Sequence, residues 1–351
     1  MTLGFGIVGC GGAAVDVARA IDAVAGARLV AAHDRVPGNA ADLAAPRAAT
    51  VHASVESLLA DPSVDVVYVA LPHDLLAPTA LRALEADHHV LVEKPMALRI
   101  EDVRAIADAA TERGRAAGVL FELREVAAIR TAHELVTGGA IGEVRQVRVQ
   151  TVIDKAASYW QSGPSGRVID DWRSRRDRAG GGVVLMNSIH QLDLVRWITG
   201  SPYIRVMADM GAPTPGVEVE DRGVALLRLD GGAQVALAAQ AHSPGARSQE
   251  RIEIDGTLGR LDLPDPYTPG PLKAYFRRRW GEFVPDRWHD IAPPTVNPHV
   301  AYLERYTSAV AEGRAAPVGT DAAAAALSAV LAIYRSSSSG EAVVLDEATE
   351  R

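Results

Sequence analysis

The sequence predicts an α/β protein of two domains, with a doubly wound parallel sheet over residues 1–120 and an α+β domain over residues 121–351. Two observations predict the first domain. A strand, a glycine turn and a helix follow one another at the start, and short apolar runs then alternate with amphipathic helical stretches. From about residue 121 the strand-like runs become longer and alternate apolar with polar residues, which is typical of a sheet with one buried face.

Composition limits the classes of function. The chain has 351 residues, enough for about two domains, and its net charge of -8 argues against nucleic acid as the main partner. Cys10 is the single cysteine, so an intramolecular disulfide and a cysteine-built zinc site are excluded, and we expect no metal site. No run approaches the roughly 18 apolar residues of a membrane span, and no signal sequence precedes the first strand. We therefore expect a cytoplasmic protein that binds neither membranes nor nucleic acids.

The first βα turn has the pattern of a dinucleotide-binding site. The apolar run LGFGIVG leads into GCGGAA, which reads G-x-G-x-x-A, and then into the helical stretch AAVDVARAI. Gly9 permits the sharp turn, Gly11 lets the backbone approach a pyrophosphate, and Ala14 allows the helix to pack near the strand. We expect the helix N-terminus, with Gly12 and Ala13, to bind the phosphates of NAD or NADP.

The end of the second strand carries a candidate for the cofactor's ribose. The run ARLVAAHD ends in Asp34, 25 residues after Gly9. An acid at about this distance accepts hydrogen bonds from the adenosine ribose, and it favours NAD because it repels a 2′-phosphate. Arg35 beside it is able to attract that phosphate, so NADP stays open as the cofactor. The structural alternative for Asp34 is a turn residue or a helix cap.

Two later strand ends carry further candidates. The run VDVVYVALP ends in Leu71 and Pro72 and is followed by His73, and the run HHVLVEKP contains Glu93 and Lys94 at its end. Ligands bind at the carboxyl ends of parallel strands, so we expect these five residues to lie beside the cofactor. Lys94 brings a cation near the nicotinamide and a substrate hydroxyl. The alternatives are a plain loop at His73 and a surface lysine at Lys94.

The run GGGVVLMNSIHQLD predicts a glycine-led helix that carries His190. Histidine suits the removal of a hydroxyl proton because it titrates near neutral pH, although a lone histidine on a helix is often structural. Met186 stands one turn before it, where an acid would orient the imidazole. Asn187 is able to donate to a substrate hydroxyl, and Asp193, one turn on, to contact the substrate or the imidazole. We place Met186, Asn187 and Asp193 on the substrate side with His190.

The segment SYWQSGPSGRVIDDWRSRRDRAGGG joins a strand to this helix and has the composition of a functional loop. Aromatic rings stack on sugar rings, and polar side chains bind sugar hydroxyls. The candidates for these substrate contacts are Tyr159, Trp160, Arg167, Trp172 and Arg173, and the alternative for each is a solvated loop residue. A proline-rich segment at 264–298 is interpreted as an insertion that covers the pocket or contacts a neighbouring subunit.

Several motifs, taken in order along nearly the whole chain, resemble those of the Gfo/Idh/MocA oxidoreductases. They are GIVGCGGAA, RALEADHHVLVEKP, VTGGAIGEV, GGGVVLMNSIHQLDLVRWITG, IEIDGTLGRLDL and ALSAVLAIYRSSSSGEAVVL. The resemblance implies a Rossmann domain followed by a mostly antiparallel sheet domain, which forms the substrate pocket and often the oligomer contact, with a C-terminal helix able to pack back on the first domain. It also implies that Lys94 lies near the nicotinamide, that the peptide bond before Pro95 is cis, and that the protein is a homodimer or homotetramer.

The chain departs from the family pattern at the acid that precedes the histidine, which is Met186 here. Lys94 and His190 remain as the predicted catalytic pair, with His190 as the base and Lys94 as the cation that stabilises the alkoxide. The predicted activity is that of an NAD(P)-dependent dehydrogenase, which oxidises a ring hydroxyl of a sugar, sugar derivative or cyclitol, or reduces the matching ketone. Two alternatives stay open: an NAD-dependent glycosidase or eliminase that acts by transient oxidation, and a dinucleotide-binding regulator without catalytic activity.

Overall fold

The computed structural model describes residues 2–163, 165–167, 170–246, 249–268 and 270–345. Its contacts divide the chain into two compact units. Unit 1 contains Met1–Phe121, Ala157–Gly180 and His299–Ala324, and unit 2 contains Glu122–Ala156, Gly181–Pro298 and Ala325–Arg351. The first break between the units follows Phe121, while two later segments of the predicted second domain belong to unit 1.

The sheet of unit 1 is parallel. Its strands are β1 (Leu3–Val8), β2 (Ala27–His33), β3 (Thr50–Val51), β4 (Val66–Val69), β5 (His89–Val92) and β6 (Ala117–Val119). Their order across the sheet is β3-β2-β1-β4-β5-β6, so the order reverses at β1 and β4. Both of these strands are buried along their whole length, as a parallel sheet covered on two faces requires. The predicted doubly wound sheet is confirmed, and its reversal places a ligand crevice at the carboxyl ends of β1 and β4.

The helices between these strands bury one apolar face each. They are α1 (Gly12–Ala23), α2 (Pro37–Ala44), α3 (Val55–Leu59), α4 (His73–Glu85) and α5 (Ile100–Arg113). In α1 the residues Ala14, Val17 and Ile21 recur at helical spacing and are fully buried. This spacing is the pattern from which the helix was predicted.

The later helices belong to both units. They are α6 (Ala127–Thr137), α7 (Tyr159–Ser162), α8 (Arg176–Ala179), α9 (Ile189–Thr199), α10 (Pro298–Ala311) and α11 (Thr320–Ser339), with 3-10 turns at Ala45–Arg47, Glu122–Glu125 and Trp172–Ser174. From His299 onward, α10 lies in unit 1. The hydroxyl of Tyr302 donates to the carbonyl of Val119 at 2.6 Å, and that of Tyr306 to the carbonyl of Val90 at 2.8 Å. Both tyrosines are fully buried, so α10 contributes core side chains beside β5 and β6.

The sheet of unit 2 is mostly antiparallel, as the resemblance implied. Its strands are β7 (Val144–Val152), β8 (Tyr203–Met210), β9 (Arg222–Leu229), β10 (Gln234–Gln240), β11 (Gln249–Gly256), β12 (Gly259–Asp262), β13 (Leu272–Phe276), β14 (Trp288–Ile291) and β15 (Val343–Val344). They lie in the order β14-β13-β12-β11-β7-β10-β9-β8-β15. The β7–β10 ladder is parallel, and the other ladders among the described strands are antiparallel. The hairpin predicted across DGG is confirmed by the pairing of β9 with β10.

One face of this sheet is buried, as the alternation predicted. In β7, Val147, Val149 and Thr151 are buried, while Arg148 and Gln150 between them belong to the opposite face. Helix α9 packs on β7 and β11 and against α6. The segment 264–298, interpreted as an insertion that covers the pocket or contacts a neighbouring subunit, contains β13 and β14 at the edge of the sheet, and its proposed role stays a prediction. Among the helices in the described part of the chain, none combines the length and the apolar character that a membrane span needs.

Candidate active site

The glycine turn between β1 and α1 has the backbone that a pyrophosphate site requires. Gly9 has a φ of 90°, and a Cβ there would lie 2.3 Å from the carbonyl oxygen of Ala70, so only glycine fits. Gly11 is the N-cap residue of α1 and offers no side chain to the first turn of the helix, which starts at Gly12. The free N–H groups of that turn and the positive end of the helix dipole fit the phosphates of a dinucleotide.

Asp34 is held at the opening of this turn. Its Oδ2 accepts a hydrogen bond from the N–H of Cys10 at 2.7 Å, and its Oδ1 accepts one from the N–H of Val36 at 2.7 Å. Each carboxylate oxygen has a further lone pair for a ribose hydroxyl. Burial and the nearby Asp34 charge raise the pKa of the Cys10 thiol to about 12, so this cysteine stays neutral and is not a nucleophile.

The backbone of Lys94, which follows the end of β5, is held in place by its neighbour Glu93. The Tyr68 hydroxyl donates to Oε1 of Glu93 at 2.5 Å, and the N–H of Lys94 lies 3.3 Å from Oε2 of the same carboxylate. The Lys94–Pro95 peptide bond is cis, which confirms what the resemblance implied. The Glu93 side chain is therefore a brace for the lysine backbone and not a free acid in the crevice.

The strand end before α4 lies beside the glycine turn. A Cδ atom of Leu71 is 3.0 Å from the position of a Cβ at Gly9. Pro72 is the N-cap residue of α4, and His73 is its first residue. His73 is buried, its Nδ1 lies 2.8 Å from the carbonyl oxygen of Ala179, and its ring centroid is 4.6 Å from that of Trp172. The histidine is thus packed against Trp172 and Ala179, both from the segment 157–180.

The same segment also contacts the glycine turn. A Cβ at Gly12 would lie 3.1 Å from the side chain of Ser165. Arg167 donates from Nε to the carbonyl oxygen of Cys10 and from Nη2 to that of Asn39, both at 3.2 Å, and its Nη1 lies 3.3 Å from Asp42. Arg167 was predicted to contact the substrate, which stays a prediction; in the structure its side chain lies beside Cys10 of the glycine turn.

The aromatic residues of the segment pack on one another. Tyr159 and Trp160 meet edge to face with centroids 5.3 Å apart. The Arg173 guanidinium lies 4.4 Å from the centroid of a Trp172 ring and 5.4 Å from that of Tyr159. Trp160 and Trp172 are each 7% exposed, so little of either ring is open to solvent. Their predicted stacking on a sugar stays a prediction.

In unit 2, the glycines before the histidine helix are explained by close packing. A Cβ at Gly181 would lie 2.1 Å from the hydroxyl of Tyr334, and one at Gly182 would lie 1.7 Å from the carbonyl of Glu220. The buried Glu220 carboxylate accepts from the N–H groups of Gly182 and Val184 at 2.7 and 3.0 Å, and from the Tyr334 hydroxyl at 2.8 Å. Burial raises the pKa of Glu220, while these hydrogen bonds act to lower it. Glu220 therefore holds the start of the helix that carries His190.

We expect Glu220→Gln to lower the free energy of unfolding by about 1–3 kcal/mol, because one of the backbone N–H groups would then face an amide NH₂. The measurement is urea unfolding followed by circular dichroism. Glu282→Gln, at an exposed position of the same unit, is the matched control and should change nothing. Equal midpoints for both variants would contradict the assigned role of Glu220.

Asn187 lies in a π-helical turn, Val184–Ser188, that leads directly into α9. Sequence periodicity predicted a regular helix here and missed this turn, which is a rare element often found at functional sites. Lys155 Nζ donates to Oδ1 of Asn187 at 2.5 Å. Because an ammonium group only donates, the amide oxygen is the acceptor, and the amide NH₂ is left to donate elsewhere. Met186, at the position of the family's acid, is 4% exposed and belongs to the core.

His190 lies in the first turn of α9 and is 4% exposed. Asp193, one turn on, accepts two hydrogen bonds from the Arg124 guanidinium, at 2.8 and 2.5 Å. Both carboxylate oxygens of Asp193 therefore accept hydrogen bonds from the guanidinium of Arg124 in a buried bidentate pair. Asp193 was predicted to contact the substrate or the imidazole, which stays a prediction; the structure pairs its carboxylate with Arg124.

Three residues near the predicted site were missed by sequence reasoning. Lys155 follows β7 and Asp170 lies in the segment 157–180, where charged side chains gave no periodic signal. His299 lies at the start of α10, where burial lowers its pKa and the charges of Glu93 and Asp16 act to raise it. The contacts of Lys155 with Asn187 and of Asp170 with Arg35 join residues that are distant in sequence.

The predicted catalytic pair is divided between the units, with Lys94 in unit 1 and His190 in unit 2. Within the described ranges, no group of three or more His, Cys, Asp and Glu side chains is arranged to hold a metal ion. That Lys94 and His190 both contact one hydroxyl of the substrate stays a prediction.

Two family models match the chain. Residues 3–121 match the oxidoreductase family with an NAD-binding Rossmann fold, and residues 129–262 match the GFO/IDH/MocA C-terminal domain. The 1,5-anhydro-D-fructose reductase of Ensifer adhaerens is 30% identical over 298 residues, which are 84% of this chain and 83% of that protein. The glycine turn and Asp34 described above lie within the first match.

Solved structures of similar proteins have the same fold. The aldose-aldose oxidoreductase of Caulobacter crescentus, complexed with glycerol, is 25% identical with a TM-score of 0.85, covering 98% of this chain and 100% of that one. GenD2 from gentamicin A biosynthesis, in complex with NAD, is 27% identical with a TM-score of 0.81, covering 98% and 97%. Unit 1 is an NAD-binding Rossmann domain, and the protein is an NAD(P)-dependent oxidoreductase acting on CH–OH groups. The chain belongs to the Gfo/Idh/MocA family.

Proposed function

We propose that this protein, acting in the cytoplasm, oxidises a secondary ring hydroxyl of a sugar, sugar derivative or cyclitol, or reduces the matching ketone. The observation that carries the proposal is the braced Glu93–Lys94 pair at the carboxyl end of a parallel strand, in the same unit as a glycine turn that fits a dinucleotide. The sugar reductase from Ensifer adhaerens is a relative over most of the chain, which supports a carbohydrate substrate.

NAD, held by the N–H groups of the first turn of α1 and by Asp34, supplies the hydride acceptor when it is bound. The chain itself must remove the hydroxyl proton and stabilise the oxygen as negative charge develops there. We assign proton removal to His190, whose imidazole accepts the proton, and charge stabilisation to Lys94, whose ammonium group donates to the oxygen. Asn187 presents its amide NH₂ to an acceptor oxygen of the substrate, since its amide oxygen already accepts from Lys155.

The test is a panel of aldoses, anhydrosugars, uronic acids and cyclitols incubated with NAD, with the formation of reduced nicotinamide followed by fluorescence. We expect one class of these compounds to give turnover. Binding of NAD with no turnover across the panel, in either direction, would contradict a dehydrogenase and favour a regulator. Conversion of a glycoside with no net change in NAD would instead indicate elimination by transient oxidation.

We further propose that the open face of the sheet in unit 2 joins copies of this chain into a homodimer or homotetramer. Met207, Val224 and Leu226, on β8 and β9, are 53%, 57% and 65% exposed. Arg148 and Glu253, on β7 and β11, are joined by a hydrogen bond of 2.7 Å beside this apolar surface. A broad apolar face with charged residues at its side is typical of a contact between subunits.

Leu226→Lys is expected to reduce the assembly to monomers, because a lysine at the centre of the apolar surface would be buried without a partner charge. Light scattering after size-exclusion chromatography gives the mass directly. Val296→Lys, at a position 49% exposed in a loop outside the sheet, is the control and should leave the assembly intact. A wild-type protein that is monomeric at working concentration would refute this contact.

A further inference from the structure

The adenosine end of the cofactor site contains an ion pair that sequence reasoning did not predict. Nη2 of Arg35 lies 2.7 Å from Oδ2 of Asp170. Arg35 directly follows Asp34, the acid that is suited to accept the ribose hydroxyls. Asp170 comes from the segment 157–180, which is 135 residues further along the chain but belongs to the same unit. The pair therefore joins the ribose end of the turn to that segment.

Arg35 is the residue of this chain whose charge is suited to bind the 2′-phosphate that distinguishes NADP from NAD. NADP differs from NAD by a phosphate on the 2′-oxygen of the adenosine ribose, and a carboxylate beside that oxygen repels it. Proteins that accept the phosphate offset the repulsion with a guanidinium group, which binds phosphate through parallel N–H bonds. In this chain the arginine stands at the expected place, and its guanidinium already has a carboxylate partner.

Asp170 is held firmly in this position. Its Oδ1 accepts from Nη1 of Arg178 at 2.7 Å and from the N–H of Trp172 at 2.9 Å, and its side chain is 6% exposed. Arg178 is itself anchored by Asp74, 3.4 Å away. Burial acts to raise the pKa of Asp170, but the Trp172 N–H and the guanidinium groups of Arg178 and Arg35 together hold this pKa below its ordinary value. The carboxylate is therefore charged at neutral pH and is fixed by contacts other than the one to Arg35.

The result is an excess of negative charge where the 2′-phosphate would bind. Asp34, Asp170 and Asp74 contribute three carboxylates, while Arg35 and Arg178 contribute two guanidinium groups, both paired with Asp170. The nearby Arg167 is held by Asp42 and by the carbonyls of Cys10 and Asn39. A phosphate would compete with Asp170 for the Arg35 guanidinium while adding about two negative charges of its own.

We propose that Asp170 sets the preference of this protein for NAD over NADP, by engaging the Arg35 guanidinium and adding a second carboxylate to the adenosine end of the site. Asp170 is a positioning and specificity-determining residue here, not a catalytic one. The inference depends on cofactor binding at the glycine turn and does not depend on which sugar is oxidised.

The experiment measures binding without turnover. Wild-type protein and the Asp170→Asn variant are titrated by calorimetry with ADP-ribose and with 2′-phospho-ADP-ribose, which lack the nicotinamide. We expect the substitution to strengthen binding of the phosphorylated ligand at least about fivefold relative to ADP-ribose, a modest factor because Arg35 is largely exposed and its charge is screened. Asp171→Asn, the exposed neighbour in the same segment, is the matched control and should leave the ratio unchanged.

A second pair of variants tests the role assigned to Arg35. In the Asp170→Asn background, Arg35→Ala should abolish the gain in affinity for 2′-phospho-ADP-ribose, because the released guanidinium is the group that binds the phosphate. In the wild-type background the same substitution should change the ratio less than about twofold. A ratio unaffected by Asp170→Asn, or a gain that persists without Arg35, overturns the proposal. If Asp170→Asn loosens the segment 157–180, both ligands should bind more weakly. The ratio of their affinities must still shift toward 2′-phospho-ADP-ribose for the proposal to stand.

Discussion

Replacing His190 with asparagine is expected to lower kcat by about 10²- to 10⁴-fold, the range for loss of a general base. The side chain stays polar and of similar size, so the buried position at the start of α9 is still filled. Oxidation by the wild-type protein should slow as the pH falls, because a protonated imidazole cannot accept the hydroxyl proton, and the variant should lack this dependence. The measurement is the pH profile of kcat with the substrate that the panel identifies.

His242→Asn is the control for this substitution, because His242 is an exposed histidine of the same unit. It should retain wild-type activity at every pH. Affinity for reduced NAD, measured by fluorescence titration, should be unchanged in the His190 variant. A variant that keeps both the rate and the pH profile of the wild type would show that the histidine is structural.

Lys94→Ala is expected to lower kcat by about 10²- to 10³-fold, the usual effect of removing one donor to a developing oxyanion. The backbone at this position is held by the Glu93 carboxylate, and this contact does not involve the ammonium group. The fold and the glycine turn should therefore survive the substitution. Steady-state rates in both directions, with binding of reduced NAD measured separately, distinguish a loss of chemistry from a loss of cofactor.

Lys94→Arg and Lys273→Ala complete the comparison. Arginine keeps the charge but not the shape or reach of the lysine, so we expect it to restore only part of the rate. Lys273 is exposed on β13 and its replacement should have no effect. If Lys94→Ala retained full turnover while reduced NAD still bound, the alkoxide would have to be stabilised by another group, and the proposed mechanism would be wrong.

Local sequence patterns were sufficient to predict the parts of the cofactor site that depend on neighbouring residues. Gly9 was predicted from the requirement of a sharp turn, and its positive φ confirms that requirement. Asp34 and Lys94 were placed at strand ends by runs of apolar residues whose bounds match β2 and β5 closely. The doubly wound order followed because strand, turn and helix signals alternate regularly in this part of the chain.

The contacts that hold the site in place were not predictable in this way. Asn187 with Lys155, Asp193 with Arg124, and Arg35 with Asp170 are 32, 69 and 135 residues apart in sequence. Periodicity reports which face of an element is buried, but it does not report which charged side chains will meet. The same limit applies to Arg167, which was predicted to contact a sugar and whose contacts with the carbonyl oxygens of Cys10 and Asn39 and with Asp42 were not predicted.

The edge of the second sheet shows a related limit. Dense prolines between 264 and 298 are usually a sign of a loop, and β13 and β14 are short strands inside that stretch. Strands of four or five residues with no long alternating run give too little signal to distinguish them from irregular chain.

The interleaving of the two units has a practical consequence for anyone who wishes to study one of them alone. The chain passes from one unit to the other after residues 121, 156, 180, 298 and 324, so no single cut releases either unit intact. A fragment ending at Phe121 would lose Tyr302 and Tyr306, and the carbonyls of Val119 and Val90 would lose their hydroxyl donors. Such a fragment would expose apolar surface beside β5 and β6, and a gene for either unit alone would have to join three separate pieces of the chain.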